Sequence, residues 1–227
     1  MLTIARWSGR LWSDVQKSKA QPVGLLFLLL CMLSLVPPVS EFTRAIFVGY
    51  WLKLLDGSYT YMVLMAGLAL YLEIRFDGYL KARKSRVLEW SFFSTKGNTI
   101  YGPLKHKWLG WPYAIMLACC IPVLALAEEL IFREFAHQFG LLALLLVSGP
   151  IFGLIHMSSG ANVRRVICIS LMGLAMAGVY LMIGLSGVFV FHASYNLIAL
   201  GWVIIQLRLA QPLSRLRRRS QVVSATS

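Results

Sequence analysis

Four apolar segments follow one another near residues 112–135, 139–157, 163–184 and 187–208, with only short polar breaks between them. A hydrocarbon layer about 30 Å thick gives peptide groups no solvent to bond, so a run of about 20 apolar residues crosses it as a self-satisfied helix. The pattern confines the chain to an all-α, polytopic integral membrane bundle. Composition agrees: 58% of the residues are hydrophobic and 14% charged, with a mean hydropathy of +0.70. Soluble domains run near 45–50% apolar and about 25% charged.

Two more apolar segments lie upstream. The first, 22–36, ends at Pro37-Pro38. It is short enough to resemble the core of a signal peptide, but no small-x-small cleavage site follows, so it reads as an uncleaved anchor. The second covers 59–72. Residues 41–56 mix charges with aromatics, which suits a helix lying at the membrane interface. About six transmembrane helices result, the last four forming a core. Lysine and arginine gather in 1–21, in the polar stretch 75–110, at Arg164-Arg165 and in the tail around Arg215 and Arg219. Six spans put every one of these clusters on a single side, which the positive-inside rule makes cytoplasmic, with both termini there. Counting 41–56 as a further span would strand the N-terminus opposite the rest. The chain therefore divides into 1–110 (membrane helices, interfacial helix and basic loop), 111–208 (core) and 209–227 (a basic, disordered tail).

The net charge of +13 sits between the apolar runs, where it orients the chain and meets anionic lipid headgroups at about 1 kcal/mol per charge. A nucleic-acid partner would need a basic patch on one folded face, and none is written here. Cys31, Cys119, Cys120 and Cys168 all fall within apolar runs without metal or disulfide spacing, and read as small packing residues.

The chemistry is concentrated in the core. Glu128 and Glu129 stand in the run Ile121-Pro-Val-Leu-Ala-Leu-Ala-Glu-Glu-Leu-Ile-Phe-Arg133. A charged group at mid-bilayer costs about 2.5–3.5 kcal/mol on insertion scales, so these residues face a protein interior. Glu129 and Arg133 are four apart on one helical face and suit an ion pair. Glu128, turned by about 100°, is left for proton work as a general base. The plainer alternative is a packing network in which both acids only hold Arg133. His156 closes the segment Phe152-Gly-Leu-Ile-His156, where an interhelical hydrogen bond is the plain reading. His192 and Asn196 are four apart in Phe191-His-Ala-Ser-Tyr-Asn196 and can aim two donors at one oxyanion, each such donor being worth about 2.7–4 kcal/mol. An acid with an imidazole to activate water, and two polar groups to hold the developing charge, compose a hydrolytic site. Zinc on Glu128, His156 and His192 is the competing assignment, although the helical HExxH spacing is missing. Counting along the spans puts Glu128 and Asn196 near mid-membrane, His156 toward the inside and His192 toward the outside, offsets of several Å that tilt can absorb.

Glu128-Glu-Leu-Ile-Phe-Arg133 matches EExxxR, Phe152-Gly-Leu-Ile-His156 matches FxxxH, and His192-Ala-Ser-Tyr-Asn196 matches HxxxN. In this order, each in its own apolar segment, they resemble the CPBP family of CAAX proteases and bacteriocin-processing proteins. This family is also called Abi, and it includes the Ras-converting CAAX endopeptidase. The resemblance covers about 112–208. It implies a glutamate-type intramembrane endopeptidase in which Glu128 and His156 activate water, His192 and Asn196 form the oxyanion site, and Glu129 and Arg133 brace the chamber. Glu134 stands where the family usually has glycine. His137 has no family role and reads as interfacial. The small size and sparse loops suit a bacterial inner-membrane member that cleaves a membrane-associated peptide or C-terminal tail. The alternatives are a non-catalytic regulator or bacteriocin-immunity protein of the same fold and, weakest, a proton or ion path.

Overall fold

A computed structural model describes residues 39–55, 57, 59–90, 104, 110–159 and 161–207. The expected anchor at 22–36 with Cys31, the N-terminal basic residues, most of 91–109 and the tail 209–227 lie outside the described residues. Among those described, the secondary structure is helical, with no strand.

Helix α1, Val39–Leu55, leads into α2, Thr60–Ala82, and the last part of α1, Val48–Leu55, makes a bend of 104° with α2. Along α2 the buried residues Met62, Ala66, Leu70 and Glu73 recur every three or four positions and form one inward stripe. The sequence ends this span near Leu72, yet the helix continues for ten more residues through Glu73, Asp77 and Lys81. The polar residues do not stop it because they find partners. Glu73 pairs with Arg165 and Asp77 with Arg164. Glu89 accepts from Arg164 Nε at 3.0 Å and from Asn162 Nδ2 at 2.8 Å. Two backbone bonds, Val163 N to the Trp90 carbonyl and Arg164 N to the Leu88 carbonyl, both 2.9 Å, fasten 88–90 to the same place.

Helix α3 spans Gly110–Phe135, and its last stretch, Leu130–Phe135, widens to a π-helix. Helix α4, Leu141–Ile155, is likewise widened over Val147–Ile151. Pro150 lacks an N–H and crowds the carbonyl four residues back, so the α-helical pattern cannot pass through it unchanged. A 3₁₀ turn, His156–Ser159, follows.

Helix α5, Val163–Ile205, has 43 residues and a break at Gly184, where φ is +77°. Unbroken, it would be about 65 Å long, twice the hydrocarbon thickness. Contacts show that it folds back. Arg133 reaches Met176 Sδ at 3.4 Å and the Gly173 carbonyl at 3.5 Å, while Glu129, one turn earlier, meets His192. On a straight helix Met176 and His192 would stand about 24 Å apart. The two arms, 163–183 and 185–205, therefore both face α3, each about 30 Å long. No neighbour lies near Gly184, so glycine is required there by backbone conformation and not by space.

By length and composition, α3 and α5 qualify as membrane-crossing helices, and the bent pair α1–α2 would make a third. The count of six is not reached by that measure. One expected span lies outside the described residues, α4 is shorter than a full span, and α5 contains two expected spans in one continuous stretch. Close packing joins α4 to the first arm of α5. A side chain at Gly153 would run into Ser170 and the Val166 carbonyl, and one at Gly173 into the Ser148 carbonyl and the Phe152 ring. Small residues let the backbones approach, which is how helices associate where lipid supplies no hydrophobic drive.

Candidate active site

Glu129 lies at the centre of the site. Its Oε1 accepts from Arg133 Nη1 at 3.1 Å and from His192 Nδ1 at 2.5 Å, and both Glu129 and Arg133 are 0% exposed. An ionised carboxylate can only accept, so the proton between the two groups belongs to Nδ1. That leaves His192 Nε2 facing Glu128, whose Oε2 is 3.5 Å away. Glu128 differs from its neighbour in being open: its side chain is 37% exposed, against 4% for that of His192. One acid is enclosed and fixes a ring, and the next in sequence reaches the same ring from a more accessible side. The rotation of about 100° between adjacent helical positions produces this division.

The widened turn of α3 serves the site directly. Arg133 lies within it, and the Phe132 carbonyl turns outward to accept from Ser148 Oγ at 2.8 Å. This bond joins the two widened turns, a feature that recurs at functional sites. Just past the end of α4, His156 Nδ1 lies 2.7 Å from the Phe152 carbonyl. A carbonyl also only accepts, so this imidazole too carries its proton on Nδ1 and has Nε2 as its second nitrogen. Asn196 is half-buried, one turn beyond His192 on the same helix.

The structure thus brings Glu128, Glu129, Arg133 and His192 together, with Asn196 one helical turn from His192 and His156 joined to the group through the Phe152 ring. The offset between His156 and His192 expected from the spans is bridged by the Phe152 ring, which packs edge-on against both. Among the described residues no group of three or more His, Cys, Asp or Glu side chains has the arrangement that holds a metal ion.

Several contributors escape a reading of polar residues alone. The Tyr50 hydroxyl and Ser194 Oγ, 2.8 Å apart and buried, join α1 to the helix that carries His192. Phe152, Ser148 and Gly173 meet where α4 packs on the first arm of α5. The glycine pair Gly149 and Gly153, four apart, was the available signal for the tight α4–α5 contact. Glu134 accepts from the Tyr180 hydroxyl at 2.8 Å, against which the exposed His137 packs edge-on. Where the family usually has glycine, this chain has a cross-link to α5.

Buried ionic pairing inside apolar helices defines a membrane-embedded polar site on a helical bundle. Residues 108–198 match the family described as Rce1-like, type II CAAX prenyl endopeptidase Rce1-like. The matched segment carries all three motifs, so the resemblance to the CAAX proteases holds for the part of the chain that contains the site. A CAAX-type protease, a hydrolase acting on membrane-associated protein, is the class this supports. With the long apolar helices, the match describes an integral membrane protein. Neither the curated proteins nor the solved structures give a match to the chain.

Proposed function

We propose that the protein is an intramembrane endopeptidase of a bacterial inner membrane that hydrolyses a peptide bond in a membrane-associated peptide or C-terminal tail. The observation that carries this reading is the array Glu128–His192–Glu129. An accessible carboxylate lies 3.5 Å from an imidazole nitrogen whose partner nitrogen is fixed, at 2.5 Å, by a buried carboxylate. Such an arrangement is costly in lipid and is of use where protons move.

In this reading Glu128, assisted by His156, takes a proton from water as the hydroxide oxygen bonds to the scissile carbonyl carbon. The carbonyl π electrons move onto oxygen, forming an oxyanion. The proton on Glu128 is within one small adjustment of His192 Nε2. Once there, it lets His192 donate to the oxyanion beside the Asn196 amide. Collapse of the tetrahedral intermediate breaks the C–N bond, and the same proton passes to the departing amine. Glu129 and Arg133 keep the His192 ring in place throughout. No step is routed through a metal, so a chelator in the same assay is expected to leave cleavage within about twofold of the untreated rate.

The test uses the full chain in liposomes with a membrane-anchored tail substrate. Glu128→Gln keeps volume and removes the base, and is expected to cut the rate by about 10²–10⁴-fold with the protein still folded. Cleavage at the unmodified rate overturns the proposal. A wild-type protein that cleaves nothing, yet controls a partner equally well with and without Glu128→Gln, is instead a regulator.

A further inference from the structure

The Phe152 ring meets three side chains of the site, Arg133, His156 and His192. The ring lies under the Arg133 guanidinium, whose carbon is 4.6 Å from the ring centroid. His156 meets it edge-on at 4.9 Å and 68°, and His192 at 6.3 Å and 84°. Phe132 closes a further side at 5.0 Å and 72°. All of these fall within the range where aromatic edges and faces attract, and a guanidinium over a ring face adds a cation–π contact. The ring is 3% exposed, so it does not touch substrate. Gly173 lies beside the ring: a Cβ there would stand 3.0 Å from Phe152 Cδ1.

The two imidazoles come from different helices. A close hydrogen bond fixes the Nδ1 edge of each, to the Phe152 carbonyl for His156 and to Glu129 for His192. A bond at one edge of a ring sets that edge, whereas the tilt of the ring plane follows from what packs against it. The Phe152 ring is in contact with both imidazoles, and with the Arg133 that holds Glu129.

We propose that Phe152 is the positioning residue of this site: through its ring it sets the separation and tilt of the His156 and His192 imidazoles. The role rests on the hydrolytic reading above for its consequence in turnover, but its structural claim stands by itself. Phe152 is the template, and Arg133, stacked on it, passes the same alignment to Glu129.

The experiment replaces Phe152 by phenylalanines carrying one, two and three ring fluorines, which keep shape and progressively weaken the cation–π contact. It adds Phe152→Leu, which removes the ring. In the liposome assay, kcat is expected to fall stepwise to about a tenth across the fluorinated series at constant KM. For Phe152→Leu a fall of about 30–100-fold is expected, in the range for residues that orient catalytic groups. In parallel, acylation of His192 by diethyl pyrocarbonate, read by mass spectrometry, is expected to rise about fivefold or more in Phe152→Leu as the ring loses its wall. Phe139→Leu, on an exposed aromatic, changes neither measurement. If Phe152→Leu does not fold, the isosteric fluorinated series decides. Unchanged kcat and His192 reactivity in folded variants overturn the proposal. So does a loss of kcat and KM in parallel with thermal stability, the mark of a packing residue. Should the wild type cleave nothing, the hydrolytic reading fails separately and His192 reactivity still decides the positioning role.

Discussion

At the scale of single residues the site is a problem of buried charge. Glu129 and Arg133 are fully enclosed and 3.1 Å apart, and a pair of this kind is costly to break from one side only. Arg133→Met leaves the Glu129 carboxylate with the His192 proton alone, and is expected to lower stability by about 3–5 kcal/mol. Unfolding of the purified protein in mild detergent would register this, and an unchanged midpoint would mean that the pair adds nothing. The Glu129–Arg133 contact was legible in the sequence because it lies within one helix, where spacing alone decides who meets whom. The Glu129–His192 contact was not. It joins residues 63 positions apart, and nothing in the local pattern says which acid of the doublet would turn toward which imidazole. For the same reason the sequence gives Phe152 a place in a motif but no role, since edge-on ring contacts have no sequence period.

At the scale of elements, two helices are shaped by what they cannot do. Pro150 widens α4, and Gly184 breaks α5. The apolar core segments were readable from hydropathy, and the Gly184 break falls at the end of an expected span. The continuation of α2 to Ala82 was not readable, because Glu73, Arg75 and Asp77 look like solvent-facing residues until Arg164 and Arg165 are brought beside them. The widened turns at Leu130–Phe135 and Val147–Ile151 carry no mark beyond the proline. Glycine gives a direct comparison. Gly173 admits no side chain without a collision, whereas Gly178, further along the same arm, has nothing within 4 Å. Gly173→Ala is expected to destabilise by about 1–3 kcal/mol through overpacking. Gly178→Ala is expected to be neutral or to stabilise by up to about 1 kcal/mol from helix propensity. Thermal midpoints of the two variants side by side check the pair, and equal values would contradict the close approach of α4 and α5.

At the scale of the whole molecule, the segment that matches the CAAX proteases does not stand alone. Residues ahead of it pack onto it at two ends. Tyr50 bonds to Ser194, and Glu73, Asp77 and Glu89 hold the start of α5. The Glu73 carboxylate is buried while the Arg165 it meets is half exposed. The interaction is thus partly screened, and Glu73→Gln is expected to cost about 1–3 kcal/mol, less than breaking the enclosed pair. Because this clasp also anchors the stretch that follows His156, the same variant is expected to speed amide exchange across 156–162 while leaving Gly110–Phe135 protected. Uniform change along the chain would mean that the clasp is not local.

The 63 residues between Glu129 and His192 also set an order of events during synthesis. Helix α3 enters the bilayer carrying two acids and an arginine before the imidazole that completes their network has been translated. Between those moments the nascent chain must tolerate its own charges, and the counter-ion already attached to Glu129 is Arg133, one turn behind it. The pair that braces the mature protein is therefore also what makes the half-built chain insertable, so damage to it should surface first as poor membrane integration and only later as lost chemistry.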